Sequence, residues 1–327
     1  MIISRTPFRI SFAGGGTDLH AFYGKEYGCV TSTTIDKYVY IAVHKYFDKN
    51  KILLKYSKTE FVDSQEKIQH PIIREALRLV GIESGIEITS IADIPSGTGL
   101  GSSCTFTVGL LHALYAYKGK FVSHERLARE ASKIEIDILG EPIGKQDQYA
   151  ASHGNLNYIQ FNSDETVDVI PIVCNAETKK QLQKNFLLFY TGVTRSTASV
   201  LTEQKKNTET DSKKFENLQK MKKLAMELRD ALNNDNFTQF GEILHKGWVL
   251  KRELACAITN DDIDSYYKAA LAAGATGGKL LGAGGGGFLL FYCPEEKKER
   301  VIAALPLEHI PFMFDTQGSK IIHVGDK

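Results

Sequence analysis

Cysteine is scarce in this sequence, and its few cysteines lie far apart. They form neither a Cys-x-x-Cys pair nor the spacing of a zinc site. They are Cys29, Cys104, Cys174, Cys256 and Cys293. Widely spaced cysteines are typical of free thiols in a reducing cytoplasm, so we expect no disulfide framework and no structural zinc.

The sequence also lacks an excess of charge, because 40 lysines and arginines are balanced by 39 aspartates and glutamates. Such a balance gives no basic field that would hold nucleic acid or an anionic membrane. No apolar run approaches the length that crosses a bilayer, and residues 1–5 lack the features of a secretory signal. We therefore expect a cytoplasmic protein with neither nucleic-acid nor membrane partners, and a homodimer stays open.

Glycine is present in three clusters, at residues 14–16, 97–101 and 282–287. These clusters exceed what ordinary turns require, because glycine serves wherever the backbone must approach another group closely or adopt a positive φ.

The sequence contains no internal repeat and no low-complexity tract. Its 327 residues are enough for two domains of ordinary size.

The hydrophobic pattern predicts both strands and helices. In the first part it predicts strands at 28–44, 86–91 and 155–172, and helices at 103–117 and 123–139. In the second part it predicts strands at 186–190 and 288–292, two short closing strands, and helices around 215–228, 237–248 and 297–304. Another helix, reaching Leu271, would be capped by Asp261 or Asp262. We place a domain boundary near residue 180, which gives units of 1–180 and 181–327.

The segment 95–104 has the composition of a phosphate-binding loop that leads into a helix. A phosphate chain needs many N–H donors close together and no Cβ atoms in the way. The start of the following helix adds unpaired N–H groups and the positive end of its dipole. Ser102 or Ser103 is expected to cap this helix and to offer a hydroxyl to phosphate or metal. The candidate ATP-binding residues are Pro95, Gly97, Gly99, Leu100, Gly101, Ser102, Ser103 and Cys104.

Better-known glycine loops do not fit these clusters. A Walker loop requires a lysine directly after its glycines, and none follows residue 101. A protein-kinase loop is followed by a strand that carries lysine, whereas a helix is predicted here. The cluster at 282–287 satisfies Gly-x-Gly-x-x-Gly, but the strand-like run Phe288–Tyr292 follows it, whereas a dinucleotide fingerprint opens a helix.

The run Pro95–Ser103 resembles the second motif of the GHMP kinase superfamily, Pro-x-x-x-Gly-Leu-Gly-Ser-Ser. Residues Arg5–Leu19 resemble the first motif of its sugar-kinase branch, and Lys279–Phe288 resemble the third motif, a glycine loop that packs beside the ATP loop. The resemblance implies an α+β fold of two domains, the first like ribosomal protein S5 domain 2 and the second a ferredoxin-like α/β sandwich. It also implies ATP as phosphate donor and Mg²⁺ as cofactor.

The resemblance further implies a set of substrate-binding residues. Arg9 matches an active-site arginine, and Asp18 matches an aspartate that binds the sugar. Gly15 and Gly16 stand where galactokinases have Glu-His, which argues against galactose as the substrate. The substrate-binding candidates from the first and third motifs are Gly15, Gly16, Thr17, Asp18, Gly284 and Gly285.

Two carboxylates between residues 134 and 149 complete the implied site. Glu135 matches a helix glutamate that binds Mg²⁺ together with the Ser103 hydroxyl, and Asp147 matches an aspartate that contacts the substrate hydroxyl. Phosphoryl transfer depends on positioning and on neutralising charge. Asp147 would accept the hydroxyl proton or only align the hydroxyl. Arg9 would orient Asp147 and stabilise the developing negative charge, so Asp147 and Arg9 are the catalytic candidates.

Segments outside the three motifs resemble the D-glycero-D-manno-heptose 7-phosphate kinase group. They are residues 31–38, 69–71, 109–114 and 190–195. The resemblance implies a small-molecule sugar phosphate that is phosphorylated at its anomeric hydroxyl, giving a 1,7-bisphosphate for nucleotide-activated heptose and surface polysaccharide. Lys145 and Arg195 are candidates to hold the existing phosphate, and both could equally be surface charges.

Two alternatives stay open. The first is another anomeric sugar kinase of the same superfamily, acting on fucose or a uronic acid. The second is a sugar- and ATP-binding regulator without catalysis. The presence of Arg9, Ser103, Glu135 and Asp147 argues against the regulator.

Overall fold

The computed structural model describes residues 1–194 and 198–325, which form two β-sheets covered by helices. The strands are β1 (Ile2–Ala13), β2 (Gly28–Lys45), β3 (Ile52–Lys55), β4 (Thr59–Val62), β5 (Ile86–Ala92), β6 (Leu156–Phe161), β7 (Val167–Pro171), β8 (Phe186–Tyr190), β9 (Gly277–Leu280), β10 (Phe288–Tyr292), β11 (Glu308–His309), β12 (Phe314–Asp315) and β13 (Lys320–Val324).

Helices lie between and outside these strands. They are α1 (His20–Tyr23), α2 (Pro71–Val80), α3 (Ser102–Tyr117), α4 (His124–Ser132), α5 (Gln146–His153), α6 (Ala176–Lys184), α7 (Ala198–Thr210), α8 (Ser212–Asn233), α9 (Phe240–Arg252), α10 (Asp261–Ala273) and α11 (Lys298–Ala304). A π-helical turn, Lys133–Ile138, continues α4. Within the described part of the chain, every helix is too short or too polar to cross a lipid bilayer.

The larger sheet has the order β13-β1-β2-β5-β3-β4 and is built around β2. This long strand runs antiparallel to β1, and it also pairs with β6 through its first part, β12 through its middle and β5 through its last part. Its first eight residues are all buried because α3 and α8 cover it, whereas its later residues alternate between buried and partly exposed. β3 is parallel to β5, and the other pairs are antiparallel.

The smaller sheet is antiparallel, with the order β11-β8-β10-β9. Its central strands β8 and β10 are runs of apolar and aromatic residues that are almost wholly buried. Helices α9 and α10 pack on β9, and Trp248 of α9 lies fully buried in the same core as Phe189 and Phe291 of the sheet.

The mixture of helices and strands confirms the α+β class. The strand predicted at 155–172 is instead the hairpin of β6 and β7, because residues 162–166 form a turn in which Glu165 has a φ of 71°. The cap predicted for α10 is also wrong, since Asn260 accepts the hydrogen bond and Asp261 and Asp262 lie inside the first turn. The sequence pattern did not reveal β1 as a strand, nor α2 and α7.

The domain boundary near residue 180 stays a prediction. Residue 180 lies inside α6, and β12 and β13, from the end of the chain, pair with strands of the larger sheet. The two sheets also share a hydrophobic core. Phe12 of β1 stacks on Phe186 of β8 with 5.2 Å between the ring centroids, and Phe240 of α9 packs edge-on against Phe12 at 5.1 Å.

The second and third glycine clusters contact each other backbone to backbone. A Cβ atom on Gly99 would lie 2.5 Å from the Leu281 carbonyl oxygen, and one on Gly282 would collide with the Gly99 Cα. A Cβ atom on Gly287 would likewise collide with the Thr98 carbonyl oxygen. The expected packing of the third motif beside the ATP loop is therefore present, and it leaves no room for side chains.

We expect Gly99→Ala to destabilise the fold and to weaken ATP binding. Gly99 has a φ of +85°, and this left-handed conformation costs an alanine about 1–2 kcal/mol. The collision with Leu281 should add about 1–3 kcal/mol to the loss of unfolding free energy. Urea unfolding and ATP titration measure both effects.

The matched control is Gly119→Ala, because Gly119 has a φ of +69° and no atom lies within 4 Å of its Cβ position. It should show the conformational cost alone. An equal loss of unfolding free energy in the two variants would contradict the explanation by backbone contact.

Candidate active site

One cavity of about 790 Å³ brings together most of the residues that the sequence analysis singled out. It lies between the loop after β1, the loop before α3, the start of α5, and the elements α9 and β9. The predicted residues on its wall are Arg9, Gly15, Gly16, Asp18, Pro95, Gly97, Gly99, Gly101, Ser102, Ser103, Cys104, Glu135 and Asp147.

Arg9 holds Asp147 in a bidentate ion pair. Arg9 Nε donates to Asp147 Oδ1 at 2.6 Å, and Arg9 Nη2 donates to Asp147 Oδ2 at 2.7 Å. Arg9 Nη1 donates to the Gly99 carbonyl oxygen at 2.6 Å, which ties the pair to the glycine loop. Because a buried guanidinium fork fits two carboxylate oxygens at once, this pair fixes the orientation of Asp147.

Asp147 lies against the end of the glycine loop. A Cβ atom on Gly101 would be 3.0 Å from Asp147 Oδ2, so the absence of a side chain at Gly101 allows the carboxylate to approach. Asp147 lies in the first turn of α5. Gly101, which it contacts, is the N-cap of α3, so the starts of the two helices lie close together. The carboxylate is therefore positioned to reach a hydroxyl that is presented to a phosphate in the loop.

Glu135 is fully buried in the π-helical turn after α4. Its hydrogen-bond partners are neutral: Ser103 Oγ donates to Oε1 at 2.6 Å, and Gln148 Nε2 donates to Oε2 at 2.9 Å. Burial raises the pKa of Glu135 to about 7, and the hydrogen bonds offset this only in part. The carboxylate thus lacks a positive partner among the described residues.

A carboxylate and a hydroxyl are hard oxygen donors that fit Mg²⁺. The described residues contain no group of three or more His, Cys, Asp or Glu side chains that could hold a metal ion. A cation beside Ser103 and Glu135 would therefore take its other ligands from phosphate and water, as Mg²⁺ commonly does.

The start of α3 is open toward the cavity. Its N-cap is Gly101, with a φ of 79°, and no side chain caps the helix. The expectation that Ser102 or Ser103 caps α3 is wrong, because both serines lie inside the helix and glycine alone adopts this φ without strain. The first-turn N–H groups consequently keep their capacity to bind an anion.

Aromatic and apolar side chains form another part of the wall. The His70 ring lies 4.7 Å from the Tyr56 ring and 5.3 Å from the Phe106 ring, measured between centroids. Val39, Ile72 and other apolar side chains also line the cavity. Such a surface suits a planar base, and the sequence analysis named no residue for it.

Asp18 is buried beside the first glycine cluster. It accepts hydrogen bonds from the N–H of Gly16 at 2.8 Å and of Gln146 at 3.4 Å. Burial raises the pKa of Asp18, and the nearby charge of Asp147 raises it further. Its carboxyl oxygens have further lone pairs, so Asp18 can accept hydrogen bonds from sugar hydroxyls.

Two buried lysines on the cavity wall were missed by the sequence analysis. Lys251 Nζ donates to the carbonyl oxygens of Leu280, at 3.2 Å, and Gly282. Lys279 Nζ donates to the carbonyl oxygens of Ser11, at 2.8 Å, and Phe12, at 3.1 Å. Burial lowers the pKa of both groups, that of Lys251 to about 7.

A sequence signal for Lys251 does exist. It continues the apolar face of α9 that Phe240, Leu244 and Trp248 form, so it is a lysine on a buried helical face. Charged residues almost never occupy such positions without a partner or a ligand. Lys279 is similarly placed in β9, whose residues are all buried.

Five predicted residues do not lie on the cavity wall. They are Thr17, Leu100, Lys145, Gly284 and Gly285. The Thr17 hydroxyl donates to the Gly14 carbonyl oxygen and accepts from the Cys29 N–H, so it holds the first loop in shape. The Leu100 side chain is fully buried in the core.

Lys145 forms an ion pair with Glu165 and lies over the Tyr23 ring, with its Nζ 5.0 Å from the centroid.

Gly284 packs against the Ile258 backbone, and the Gly285 N–H donates to the Ile258 carbonyl oxygen at 2.9 Å. These two glycines shape the third loop, and Gly282 and Ala283 are its residues on the cavity wall. Arg195 lies outside the described residues.

Comparison with known proteins gives consistent matches over both halves of the chain. Residues 68–155 match the GHMP kinases N terminal domain, and residues 228–310 match the GHMP kinases C terminal domain. A curated relative, the D-glycero-alpha-D-manno-heptose 7-phosphate kinase of Campylobacter jejuni, is 31% identical over 289 residues, which cover 84% of each chain.

A second relative, the galactokinase of Pyrococcus furiosus, is 25% identical over 316 residues and 84% of each chain. Among solved structures, a D-glycero-D-manno-heptose 1-phosphate kinase from Bacteroides thetaiotaomicron superposes with a TM-score of 0.81 at 25% identity. That similarity covers 100% of both chains.

Proposed function

Because the chain belongs to the GHMP kinase family and is an ATP-dependent sugar kinase, we propose that it phosphorylates D-glycero-D-manno-heptose 7-phosphate at the anomeric hydroxyl. The product would be the 1,7-bisphosphate, an intermediate toward nucleotide-activated heptose. The similarity to heptose kinases over most of the chain supports a heptose phosphate. Gly15 and Gly16, in place of the Glu-His of galactokinases, support a sugar other than galactose.

The placement of Asp147 is the observation that carries the catalytic proposal. Arg9 holds its carboxylate at the end of the glycine loop, beside Gly101 and near the open start of α3. One side of this carboxylate thus faces a site suited to phosphates, and the same cavity offers Asp18 for sugar hydroxyls. A regulator without catalysis would have no use for this juxtaposition.

We assign the steps of the transfer as follows. The acceptor hydroxyl oxygen bonds to the γ-phosphorus of ATP while the bond from that phosphorus to the ADP oxygen breaks. Asp147 accepts the hydrogen bond of the acceptor hydroxyl and then its proton. Arg9 keeps Asp147 in position and adds a positive charge where negative charge develops. The N–H groups at the start of α3 bind the donor phosphates.

Mg²⁺ is the proposed cofactor, held by Ser103 Oγ and the Glu135 carboxylate. The fit rests on two hard oxygen donors and on a buried carboxylate with neutral partners. When bound, the ion would neutralise charge on the ATP phosphates. Gln148 would hold the Glu135 carboxylate in orientation through its amide N–H.

A panel of acceptors tests the proposed substrate. The protein is incubated with Mg·ATP and, separately, heptose 7-phosphate, unphosphorylated heptose, fucose, glucuronic acid and galactose. We expect heptose 7-phosphate to give the highest kcat/KM, measured by ADP release, with phosphorus NMR showing an anomeric phosphate. A clear preference for fucose or glucuronic acid would replace the heptose assignment, and no ADP from any sugar would contradict catalysis.

We expect Asp147→Asn to lower kcat by about 10²–10⁴-fold, because the amide cannot take a proton. ATP affinity should change by less than about threefold, since charge-assisted binding of the phosphates does not depend on Asp147. The matched control is Asp137→Asn, the same change at an exposed position in the π-helical turn. Undiminished turnover of Asp147→Asn would remove this residue from the mechanism.

We expect Glu135→Gln to raise the Mg²⁺ concentration for half-maximal turnover by about tenfold or more, because the amide keeps the shape but not the charge of the ligand. Turnover is measured against Mg²⁺ at fixed ATP. Thermal unfolding without ligands should be little affected, since burial already disfavours the charged form of Glu135. An unchanged Mg²⁺ dependence, equal to that of Asp137→Asn, would reject Glu135 as a ligand.

A further inference from the structure

Lys251 and Lys279 are the least explained groups of the cavity. Both are more than nine-tenths buried, with exposures of 8% and 5%, and both line the cavity wall. Each ammonium has three N–H donors and gives two of them to main-chain carbonyl oxygens. Each therefore keeps one donor, and no carboxylate of the described residues forms a salt bridge with either.

The two lysines also raise the positive charge of the cavity. Burial lowers the pKa of Lys279, and the charges of Lys251 and Arg9 lower it further. For Lys251, burial and Arg9 act in the same direction, and Asp18 and Asp147 oppose them only in part. An anion bound between the lysines would restore their charged forms, because an opposite charge favours protonation of an amine.

Ser11 adds a neutral donor at the same place. Its side chain is 6% exposed, its Oγ has no hydrogen-bond partner, and it lines the cavity. The Ser11 carbonyl oxygen accepts a hydrogen bond from Lys279 Nζ, so the Ser11 hydroxyl and the Lys279 ammonium lie close together on the cavity wall. Because Ser11 Oγ also lines the cavity, this unpaired hydroxyl is available to a bound ligand.

Lys279 and Ser11 lie on the acceptor side of the cavity, and Lys251 is near enough to Lys279 and Asp18 for their charges to act on one another. The carbonyl oxygens that hold Lys279 belong to Ser11 and Phe12, directly before the first glycine cluster and Asp18. Gly15 is open next to Ser11, since a Cβ there would be 3.8 Å from Ser11 Oγ. The donor phosphates have their own N–H groups at α3, so an anion at the lysines would belong to the acceptor.

The geometry points to Lys251, Lys279 and Ser11 as the subsite for the phosphate group that the acceptor sugar already carries. This inference rests on the proposed function, because it gives the 7-phosphate of the heptose its receptor. It replaces Lys145, which is paired with Glu165 off the cavity wall. The subsite makes the enzyme select a sugar phosphate over the same sugar without phosphate.

The test compares heptose 7-phosphate with unphosphorylated heptose as acceptors for the Lys251→Met enzyme. We expect kcat/KM for the phosphorylated sugar to fall by about 10- to 100-fold, as for loss of a charged hydrogen bond. For the neutral sugar the fall should be several times smaller, because that sugar has no group at the subsite, so the ratio of the two kcat/KM values drops. Lys251→Arg, which keeps the charge, should restore part of the preference.

Ser11→Ala is the second variant, since Ser11 Oγ has no structural partner and the change should leave the fold intact. We expect a selective loss of about three- to tenfold for the phosphorylated sugar. Lys145→Met is the matched control and should leave the preference unchanged. Equal losses for both acceptors in Lys251→Met and Ser11→Ala, or a selective loss in Lys145→Met, would overturn the proposal.

Calorimetry separates this inference from the proposed function. Mannose 6-phosphate and inorganic phosphate are titrated into wild-type protein, Lys251→Met and Lys145→Met without ATP. Binding that Lys251→Met loses and Lys145→Met keeps would uphold the subsite even if heptose 7-phosphate proved not to be the substrate. Binding of equal strength to all three proteins would overturn the subsite even if heptose 7-phosphate were turned over.

Discussion

The backbone contact between the second and third glycine clusters determines where the charged groups of the active site lie. Gly99 meets Leu281 and Gly282 without an intervening side chain. On one side of this contact, the Gly99 carbonyl oxygen accepts from Arg9, which holds Asp147. On the other side, the Gly282 carbonyl oxygen accepts from Lys251. A single close approach of two loops therefore fixes cations from distant parts of the chain around one cavity.

Asp147, Glu135 and Asp18, three of the carboxyl groups that line the cavity, have different partners, and their chemistry differs for that reason. Asp147 faces a guanidinium, which fixes its orientation. Glu135 has neutral partners, among them a hydroxyl and an amide, and burial raises its pKa to about 7. Asp18 faces backbone N–H groups and keeps free lone pairs. These surroundings fit a proton acceptor, a metal ligand and a sugar ligand respectively.

The sequence predicted the elements with strong periodicity, and most of its candidate site residues line the cavity, including Gly97, Gly99 and Gly101. Sequence patterns gave no information on the tertiary contacts of individual side chains. Thr17 stabilises its own loop, and Lys145 pairs with Glu165. The return of the last strand to the larger sheet depends on pairing over more than 300 residues of chain, such as Ile2 with Val324. Local patterns carry no information on such pairings.

The sequence by itself determined the family and located the glycine-rich loop, because a backbone that approaches another group closely favours glycine. Only the tertiary structure decided which carboxylate has which partner, and which lysines belong to the site. Lys251 stands out in the sequence only as a lysine on an otherwise apolar helical face, and nothing in the sequence says what either lysine binds. Their proposed role follows from burial without a carboxylate partner among the described residues. Such burial is a property of the packed molecule and not of the residue type.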